Sequence, residues 1–223
     1  HDFWLAARVA EVFGFRLRGC RRSGRGILIE TEEGPKEVFR LPYPAEEYCF
    51  IAEAVDFLRR RGFARLPQAV LTPEGSLTVR IEGEDYGLRD WLPGRPFDLA
   101  DPCRLAQAVE TLARFHRAGE GFRPAHRPEN REEWGTWPQR FAMGVEEFYR
   151  WEARAREAAG GDRFARLFSA WGDEILAAAA RALEELALIP YEEIVEAARE
   201  RGGLCHRDYR EENLILGEDG RPF

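Results

Sequence analysis

Residues 204–216 read Leu-Cys-His-Arg-Asp-Tyr-Arg-Glu-Glu-Asn-Leu-Ile-Leu, and they are the part of the chain most informative about its fold. A polar loop follows the apolar pair Leu204-Cys205 and ends in an apolar run that is typical of a strand. Asp208 and Asn213 stand five positions apart, so one loop can place both side chains on the same side of a cleft. We predict that His206 packs and hydrogen-bonds to hold the loop in place.

The spacing of Asp208 and Asn213 suits phosphoryl transfer. In that reaction a carboxylate orients the acceptor hydroxyl and receives its proton, and an asparagine beyond it holds a magnesium ion on the nucleotide phosphates. We therefore predict Asp208 and His206 as catalytic residues and Asn213 as a metal ligand. The cofactors would be ATP, or another nucleoside triphosphate, and Mg²⁺. The competing interpretation is a surface turn with scattered polar residues.

The order of elements upstream of the loop changes from strands to helices. Residues 15–91 contain five short strand-like runs, with a helix from about Ala45 to Arg61 after the third. We predict an α+β protein of the protein kinase-like fold. A small antiparallel β-rich N-lobe would cover residues 1–91, a hinge 92–96, and a mainly helical C-lobe 97–223, with its C-terminal part missing.

Helical periodicity dominates beyond residue 96. Asp101-Pro102 predicts an N-cap followed by proline at the first helical position. The apolar stripe of that helix is predicted to comprise Leu105, Ala108, Val109, Leu112 and Phe115. Three long helical patterns follow over 139–159, 162–188 and 190–201.

Composition restricts the partners and the compartment. Hydrophobic residues make up 44% and charged residues 33% of the chain, as in ordinary globular proteins. The net charge of -7 does not favour a nucleic-acid partner. The four cysteines form no C-x-x-C pair, which disfavours a metal site or a disulfide framework and fits a reduced cytosolic setting. No apolar stretch approaches ~18 residues, so we expect no membrane span.

The ends of the chain suggest a fragment. It begins at His1 and stops at Phe223, just after a predicted hairpin turn at residues 217–220. We expect a strand after that turn in a longer protein. A kinase-like site needs a second aspartate there to complete magnesium binding. We therefore expect this fragment by itself to be a poor catalyst.

Protein kinases also carry His-Arg-Asp, but two features disfavour that class. No G-x-G-x-x-G occurs, and the nearest element is residues 22–26, Arg-Ser-Gly-Arg-Gly. The stretch from 96 to 203 is long and helical, and Arg210 stands where protein kinases normally have a lysine.

Several short segments share their order and spacing with one family. They are residues 30–35 (Glu-Thr-Glu-Glu-Gly-Pro), 50–54 (Phe-Ile-Ala-Glu-Ala), 58–63 (Leu-Arg-Arg-Arg-Gly-Phe), 72–75 (Thr-Pro-Glu-Gly), 90–96 (Asp-Trp-Leu-Pro-Gly-Arg-Pro) and 112–116 (Leu-Ala-Arg-Phe-His). Together with the loop form Cys-His-x-Asp-Tyr at 205–209, they resemble the spore coat protein S family (CotS). That family is a branch of the aminoglycoside phosphotransferase and choline kinase group, whose more usual loop is His-Gly-Asp. The resemblance covers nearly the whole chain.

The resemblance implies a kinase-like fold with nucleotide between the lobes and a role in the coat of bacterial endospores or in spore formation. Partners would be a small-molecule hydroxyl acceptor, other spore coat proteins, or both. The protein would be made in the cytoplasm of a spore-forming bacterium and could join the spore coat. Two alternatives stay open: a catalytically impaired pseudokinase that binds coat proteins, and an aminoglycoside resistance kinase with an acidic acceptor pocket.

The resemblance breaks at the third strand. The family's strand ends in Leu-Lys-Arg, and that lysine grips the nucleotide phosphates and pairs with a glutamate of the next helix. Here the residues are Val38-Phe39-Arg40, so Phe39 stands where the lysine belongs, and Glu53 is the candidate partner glutamate. Lys36 and Arg40 are the two conceivable replacements for the lysine, and Arg40 could reach Glu53 if the register slips by one residue. The alternative is that Lys36 and Arg40, which share a strand face, are solvated edge charges.

Other nucleotide contacts are expected in the N-lobe. Backbone amides around Ser23-Gly24 could cradle phosphate. Asp90 and Trp91 would lie at the hinge, where backbone groups hold adenine. The first hairpin carries a basic cluster that either lies near the phosphates or is solvated. Its members are Arg16, Arg18, Arg21, Arg22 and Arg25.

Overall fold

The computed structural model describes residues 1–24, 26–158 and 160–223; Arg25 of the basic cluster lies outside them. The helices are α1 (Asp2–Val12), α2 (Ala45–Arg60), α3 (Pro102–Gly119), α4 (Trp137–Ala158), α5 (Arg163–Leu188) and α6 (Tyr191–Arg201). The strands are β1 (Gly19–Arg22), β2 (Ile27–Thr31), β3 (Gly34–Arg40), β4 (Thr78–Ile81), β5 (Glu84–Asp90), β6 (Arg95–Pro96) and β7 (Ile215–Leu216). Short 3₁₀ turns cover Glu129–Arg131 and Glu211–Asn213.

Strands β1 to β5 form one antiparallel sheet in the order β1-β2-β3-β5-β4. The predicted five strands with a helix after the third are confirmed, although the first strand lies at 19–22 rather than 15–20. Side chains alternate along β3, so Val38 faces the opposite side of the sheet from Phe39. Val38 packs with Ile27, Ile29 and Leu88 against the apolar side of α1.

The other side of the sheet faces α2. Phe39 and Leu41 are buried there with Tyr48 of α2, and the Phe39 and Tyr48 rings meet edge to face at 5.3 Å. The alternation of β3 therefore defines an α1 face and an α2 face of the sheet, and these names are kept below.

A small second sheet follows the predicted hinge. Strand β6 pairs antiparallel with β7, with Arg95 opposite Leu216. Beside it, Phe97 is fully buried with Ala108 of α3 and with Leu214 and Leu216. The backbone of Phe223 exchanges hydrogen bonds with Ile215, which completes the predicted hairpin.

The start of α3 agrees with the sequence, and its predicted apolar stripe is confirmed only in part. The Asp101 carboxylate accepts a hydrogen bond from the Cys103 amide at 2.8 Å, as the N-cap prediction requires. Ala108 and Phe115 are buried, whereas Leu105 and Val109 are exposed. Helical spacing identifies one face of a helix but not whether a partner covers it.

The chain packs as two compact units, residues 1–131 with 202–223, and residues 132–201. The predicted boundary at 92–96 lies inside the first unit and stays a prediction. In the second unit α4 and α5 pack closely, because Gly172 leaves room for Glu152, whose Cγ would lie 2.7 Å from an added Cβ. Over the described residues, no helix is both long and apolar enough for a bilayer crossing.

Candidate active site

The polar loop after Leu204 is anchored on both sides by buried groups. The Tyr209 hydroxyl donates to the backbone oxygen of Ala108 in α3 at 2.7 Å. Leu214, just after the 3₁₀ turn at Glu211–Asn213, is buried beside Phe97. The loop between these anchors is polar, so it lies at the surface of a rigid support rather than within the core.

Asp208 and Asn213 are brought together by this loop. The Asn213 amide nitrogen donates to the Asp208 carboxylate at 2.6 Å and to the Asp208 backbone oxygen at 2.8 Å. The other carboxylate oxygen of Asp208 pairs with Arg210 Nε at 3.0 Å. The Asp208 side chain is 60% exposed, so an incoming hydroxyl can reach it. As a carbonyl oxygen, Oδ1 is the atom of the Asn213 side chain with the chemistry to bind a metal.

His206 packs as predicted, with one difference. Its ring meets Phe115 at 5.5 Å and Tyr209 at 5.2 Å, both edge to face. Its Nδ1 is buried without a hydrogen-bond partner among the described residues, so the predicted hydrogen bond is not formed by that atom. Burial lowers the pKa of His206 below its ordinary value of 6.5, while the Asp208 carboxylate opposes this shift and His116 adds to it.

The lowered pKa of His206 predicts a pH-dependent stability. Above pH 6.5 the imidazole is neutral in both the folded and the unfolded chain. Below it the unfolded chain takes up the proton first, so the free energy of unfolding falls as the pH drops towards the folded-state pKa. In urea unfolding between pH 7 and 5, we expect the free energy of unfolding of His206→Gln to depend less on pH than that of the wild type. The control is His1→Gln, which replaces an exposed histidine and should keep the wild-type pH dependence. An unchanged slope in His206→Gln would contradict the assignment.

Arg207 has a left-handed backbone, with a φ of 65°. For a residue with a side chain this conformation costs roughly 1–2 kcal/mol. The usual family loop has glycine between the histidine and the aspartate, and the backbone at Arg207 gives the physical reason. Strain of this kind is often found beside active sites, where surrounding contacts maintain it.

Substitutions at Arg207 can isolate the backbone strain. Glycine and alanine both remove the arginine side chain, but only alanine keeps the Cβ that the left-handed backbone disfavours. After subtracting the entropy cost of glycine, we expect Arg207→Gly to be more stable than Arg207→Ala by about 0.5–1 kcal/mol. Chemical denaturation of both variants measures this difference. At Arg114, which lies inside α3, the order should be reversed, so that Arg114→Ala is more stable than Arg114→Gly.

The residues proposed to replace the missing lysine lie on the α1 face. Lys36 donates to Asp90 at 2.9 Å, and Arg40 pairs with Glu84 at 2.9 Å. Lys36 and Arg40 share one side of β3, as predicted, and by strand alternation that side is opposite to Phe39. Neither cation meets Glu53, so the structure does not form the predicted Arg40–Glu53 pair.

The glutamates of α2 are engaged by the segment 125–131. Glu53 accepts a hydrogen bond from the Ala125 amide at 2.9 Å and contacts the His126 ring. Glu47 is almost fully buried and accepts from Arg131 Nε at 2.8 Å and from the Asn130 side chain. Sequence reasoning missed Glu47, although a carboxylate at the start of an amphipathic helix could have been considered.

Some of the backbone amides expected to bind phosphate or adenine already donate hydrogen bonds within the protein. The Ser23 amide donates to the Gly26 oxygen at 3.0 Å, closing the β1–β2 turn, whereas Gly24 has open space beside its Cα. The Asp90 and Trp91 amides donate to Gln68 and Pro35. Base contacts at Asp90 and Trp91 would therefore use their carbonyl groups, and these assignments stay predictions.

The sequence also failed to identify an ion pair on the α2 face. Arg89 of β5 donates from Nε and Nη2 to Glu37 Oε2 at 2.8 and 2.6 Å. The Glu37 carboxylate is buried, with 8% of the side chain exposed, and its Oε1 accepts from the Ser23 hydroxyl at 2.9 Å. Strand alternation alone places Glu37 beside Phe39 on this face, but the partner comes from a strand 52 residues away.

The loop offers oxygen ligands that suit a magnesium ion. Mg²⁺ is commonly bound by one or two protein oxygens together with substrate phosphates and water. Of the loop oxygens, the Asn213 carbonyl fits this pattern, while the Asp208 carboxylate lies beside it on the acceptor side. Within 1–24, 26–158 and 160–223, no cluster of three or more His, Cys, Asp or Glu side chains is arranged to hold a metal. A bound ion would therefore depend on nucleotide phosphates for further ligands.

Comparison with known proteins identifies a family and supports the fold. The model of the phosphotransferase enzyme family matches residues 21–223. An aminoglycoside phosphotransferase of Alicyclobacillus acidocaldarius has 21% sequence identity and a TM-score of 0.72, with 96% of this chain and 62% of that one covered. Spectinomycin phosphotransferase, solved with ADP and spectinomycin, has 12% identity and a TM-score of 0.60, with 100% and 67% covered. These similarities confirm the kinase-like fold, and the chain spans less than two thirds of the first protein.

Proposed function

Because the chain belongs to the phosphotransferase enzyme family, we propose that the protein transfers a phosphoryl group from ATP, or another nucleoside triphosphate, to a hydroxyl group of a small molecule. The observation that carries this proposal is the contact between Asp208 and Asn213. It places a solvent-accessible carboxylate beside an amide that can hold Mg²⁺, which are the acceptor-side and metal-side groups of this reaction.

Each group in the loop has a distinct task in the proposed reaction. Asp208 orients the acceptor hydroxyl and receives its proton. Asn213 holds Asp208 by one hydrogen bond to its carboxylate and one to its backbone oxygen, and offers its own carbonyl oxygen to the metal. His206 and Tyr209 position the loop through ring packing and the bond to Ala108. When bound, Mg²⁺ would neutralise charge on the phosphates.

The biological setting is proposed from the resemblance of the loop, and of the six sequence segments described with it, to the spore coat protein S family. Residues 205–209, Cys-His-Arg-Asp-Tyr, support a role in the endospore coat or in spore formation. We propose synthesis in the cytoplasm of a spore-forming bacterium, followed by incorporation into the coat. Imaging of a tagged protein during sporulation tests this role, and a signal that never reaches the forming spore would count against it.

The alternative function is a pseudokinase that binds coat proteins. The observation that favours it is Phe39, which is buried against Tyr48 where a phosphate-binding lysine would be expected. In this case the fold would serve as a binding module, and loss of Asp208 would leave the coat role intact.

Nucleotide binding and an acceptor screen distinguish these functions. The intact protein is incubated with Mg²⁺, ATP and a panel of hydroxyl compounds that includes spectinomycin and other aminocyclitols, and mass spectrometry detects phosphorylated products. We expect Mg²⁺-dependent ATP binding and at least one phosphorylated acceptor. Absence of nucleotide binding in calorimetry would overturn the enzyme proposal and favour the binding module.

A further inference from the structure

A cation from the neighbouring strand lies over the Phe39 ring. The Arg89 guanidinium carbon is 4.7 Å from the centre of that ring. In the register of β3 with β5, Arg89 lies opposite Glu37 and Gly87 lies opposite Phe39. Residues directly opposite each other in antiparallel strands point to the same face of the sheet. Arg89 therefore belongs to the α2 face, together with Phe39.

Gly87 makes room for this arrangement. An added Cβ at Gly87 would lie 2.9 Å from Phe39 Cζ and 3.2 Å from the Tyr48 ring. The Phe39 ring thus lies directly over β5, and the flat guanidinium of Arg89 stacks beside it. Stacking of arginine on an aromatic ring is a favourable contact that lysine does not reproduce. A phenylalanine at position 39 and an arginine at position 89 therefore fit each other.

We infer that Arg89 supplies the phosphate-binding cation of this site, on the face where Phe39 leaves none. The inference rests on the proposed function and specifies which side chain grips the nucleotide. Lys36 and Arg40 do not fill this role, since strand alternation places both on the α1 face with Asp90 and Glu84 as partners.

Arg89 has donors to spare for a phosphate. A guanidinium carries five N–H donors, and Glu37 engages only Nε and Nη2. The Arg89 side chain is 31% exposed, so it is accessible to a ligand while remaining partly shielded from solvent. Partial shielding strengthens the attraction between a guanidinium and a phosphate. Arginine also binds phosphate oxygens through two parallel hydrogen bonds.

Glu37 connects the cation to the β1–β2 turn. One carboxylate oxygen accepts from Arg89 and the other from the Ser23 hydroxyl. Arg89 and Ser23 are therefore separated by a single carboxylate group, and a phosphate held at the turn lies within reach of the guanidinium. Glu37 also acts as a counter-ion that competes with the phosphate, so its charge should weaken nucleotide binding.

Calorimetry with Mg–ATP and with adenosine tests the role of Arg89. We expect Arg89→Met to bind ATP roughly 10- to 100-fold more weakly, the effect of one charge-assisted contact, while adenosine affinity is unchanged. Glu37→Gln should bind ATP more tightly than the wild type. The matched control is Arg40→Met, which removes an arginine from the α1 face and should leave ATP affinity unchanged.

A rescue variant guards against a purely structural effect. Phe39→Lys combined with Arg89→Met returns a cation to the α2 face and should recover ATP affinity; Arg89→Gln repeats the test if Arg89→Met fails to fold. Unchanged ATP affinity in Arg89→Met, or an equal loss for ATP and adenosine, overturns the inference but leaves the proposed function standing. A wild-type protein that binds no ATP overturns both.

Discussion

Replacing Asp208 with asparagine should lower kcat by roughly two to four orders of magnitude, the contribution of a positioned general base. Asparagine has nearly the same shape and can still bond to Asn213, but it cannot take a proton from the acceptor hydroxyl. Because Asp208 is exposed, its replacement should leave folding and Mg–ATP affinity almost intact. Steady-state kinetics of the intact protein with an acceptor found by the screen measures this effect.

The control for Asp208 lies in the same loop. Glu211→Gln removes one negative charge three residues away and should keep kcat within a few-fold of the wild type. If Asp208→Asn retained full turnover, Asp208 would not be the base. If both variants lost activity equally, the loop's overall charge rather than a specific carboxylate would be responsible.

Truncating Phe97 to alanine should destabilise the protein by about 3–5 kcal/mol, as expected for a fully buried aromatic ring. Phe97 has no exposed surface and packs with Ala108, Leu214 and Leu216. It therefore supports α3 and the strand that follows the polar loop. A loss of this size is a large fraction of the stability of a typical domain. Urea unfolding monitored by circular dichroism gives the free energy.

Phe3 provides a matched control for Phe97. It is also a phenylalanine, but its side chain is 65% exposed on α1. Phe3→Ala should therefore change the free energy of unfolding by less than about 0.5 kcal/mol. Equal losses in the two variants would show that Phe97 does not form the predicted core. If only Phe97→Ala lost stability and its kcat was also reduced, this core would be shown to support the polar loop that carries Asp208.

Local sequence signals were sufficient to predict most helices and strands of the first unit. The N-cap Asp101, the helix at Ala45–Arg60 and the five strands follow from short-range preferences, and the structure confirms them. The contact between Asp208 and Asn213 was also predictable, because five positions of one loop limit how far apart the two side chains can lie.

Pairings between distant segments were not predictable in the same way. The possible Arg40–Glu53 pair assumed a one-residue slip from the ungapped match, but Arg40 meets Glu84 and Glu53 meets the segment around His126. Likewise, Leu105 and Val109 have the spacing of a buried stripe and yet are exposed. In each case the sequence periodicity predicted which face of the helix or strand the residue occupies. Which residue it contacts, if any, depended on the packing of elements that are far apart in the chain.

The polar loop and the antiparallel β-rich sheet were determined by the sequence itself, since both depend on local spacing and on side-chain alternation. Only the tertiary structure decided which cation shares the α2 face with Phe39. That outcome depends on the register of β3 with β5, which pairs Glu37 with Arg89 across 52 residues. Register is set by turns and by burial of a whole face, so no short motif around Phe39 encodes it.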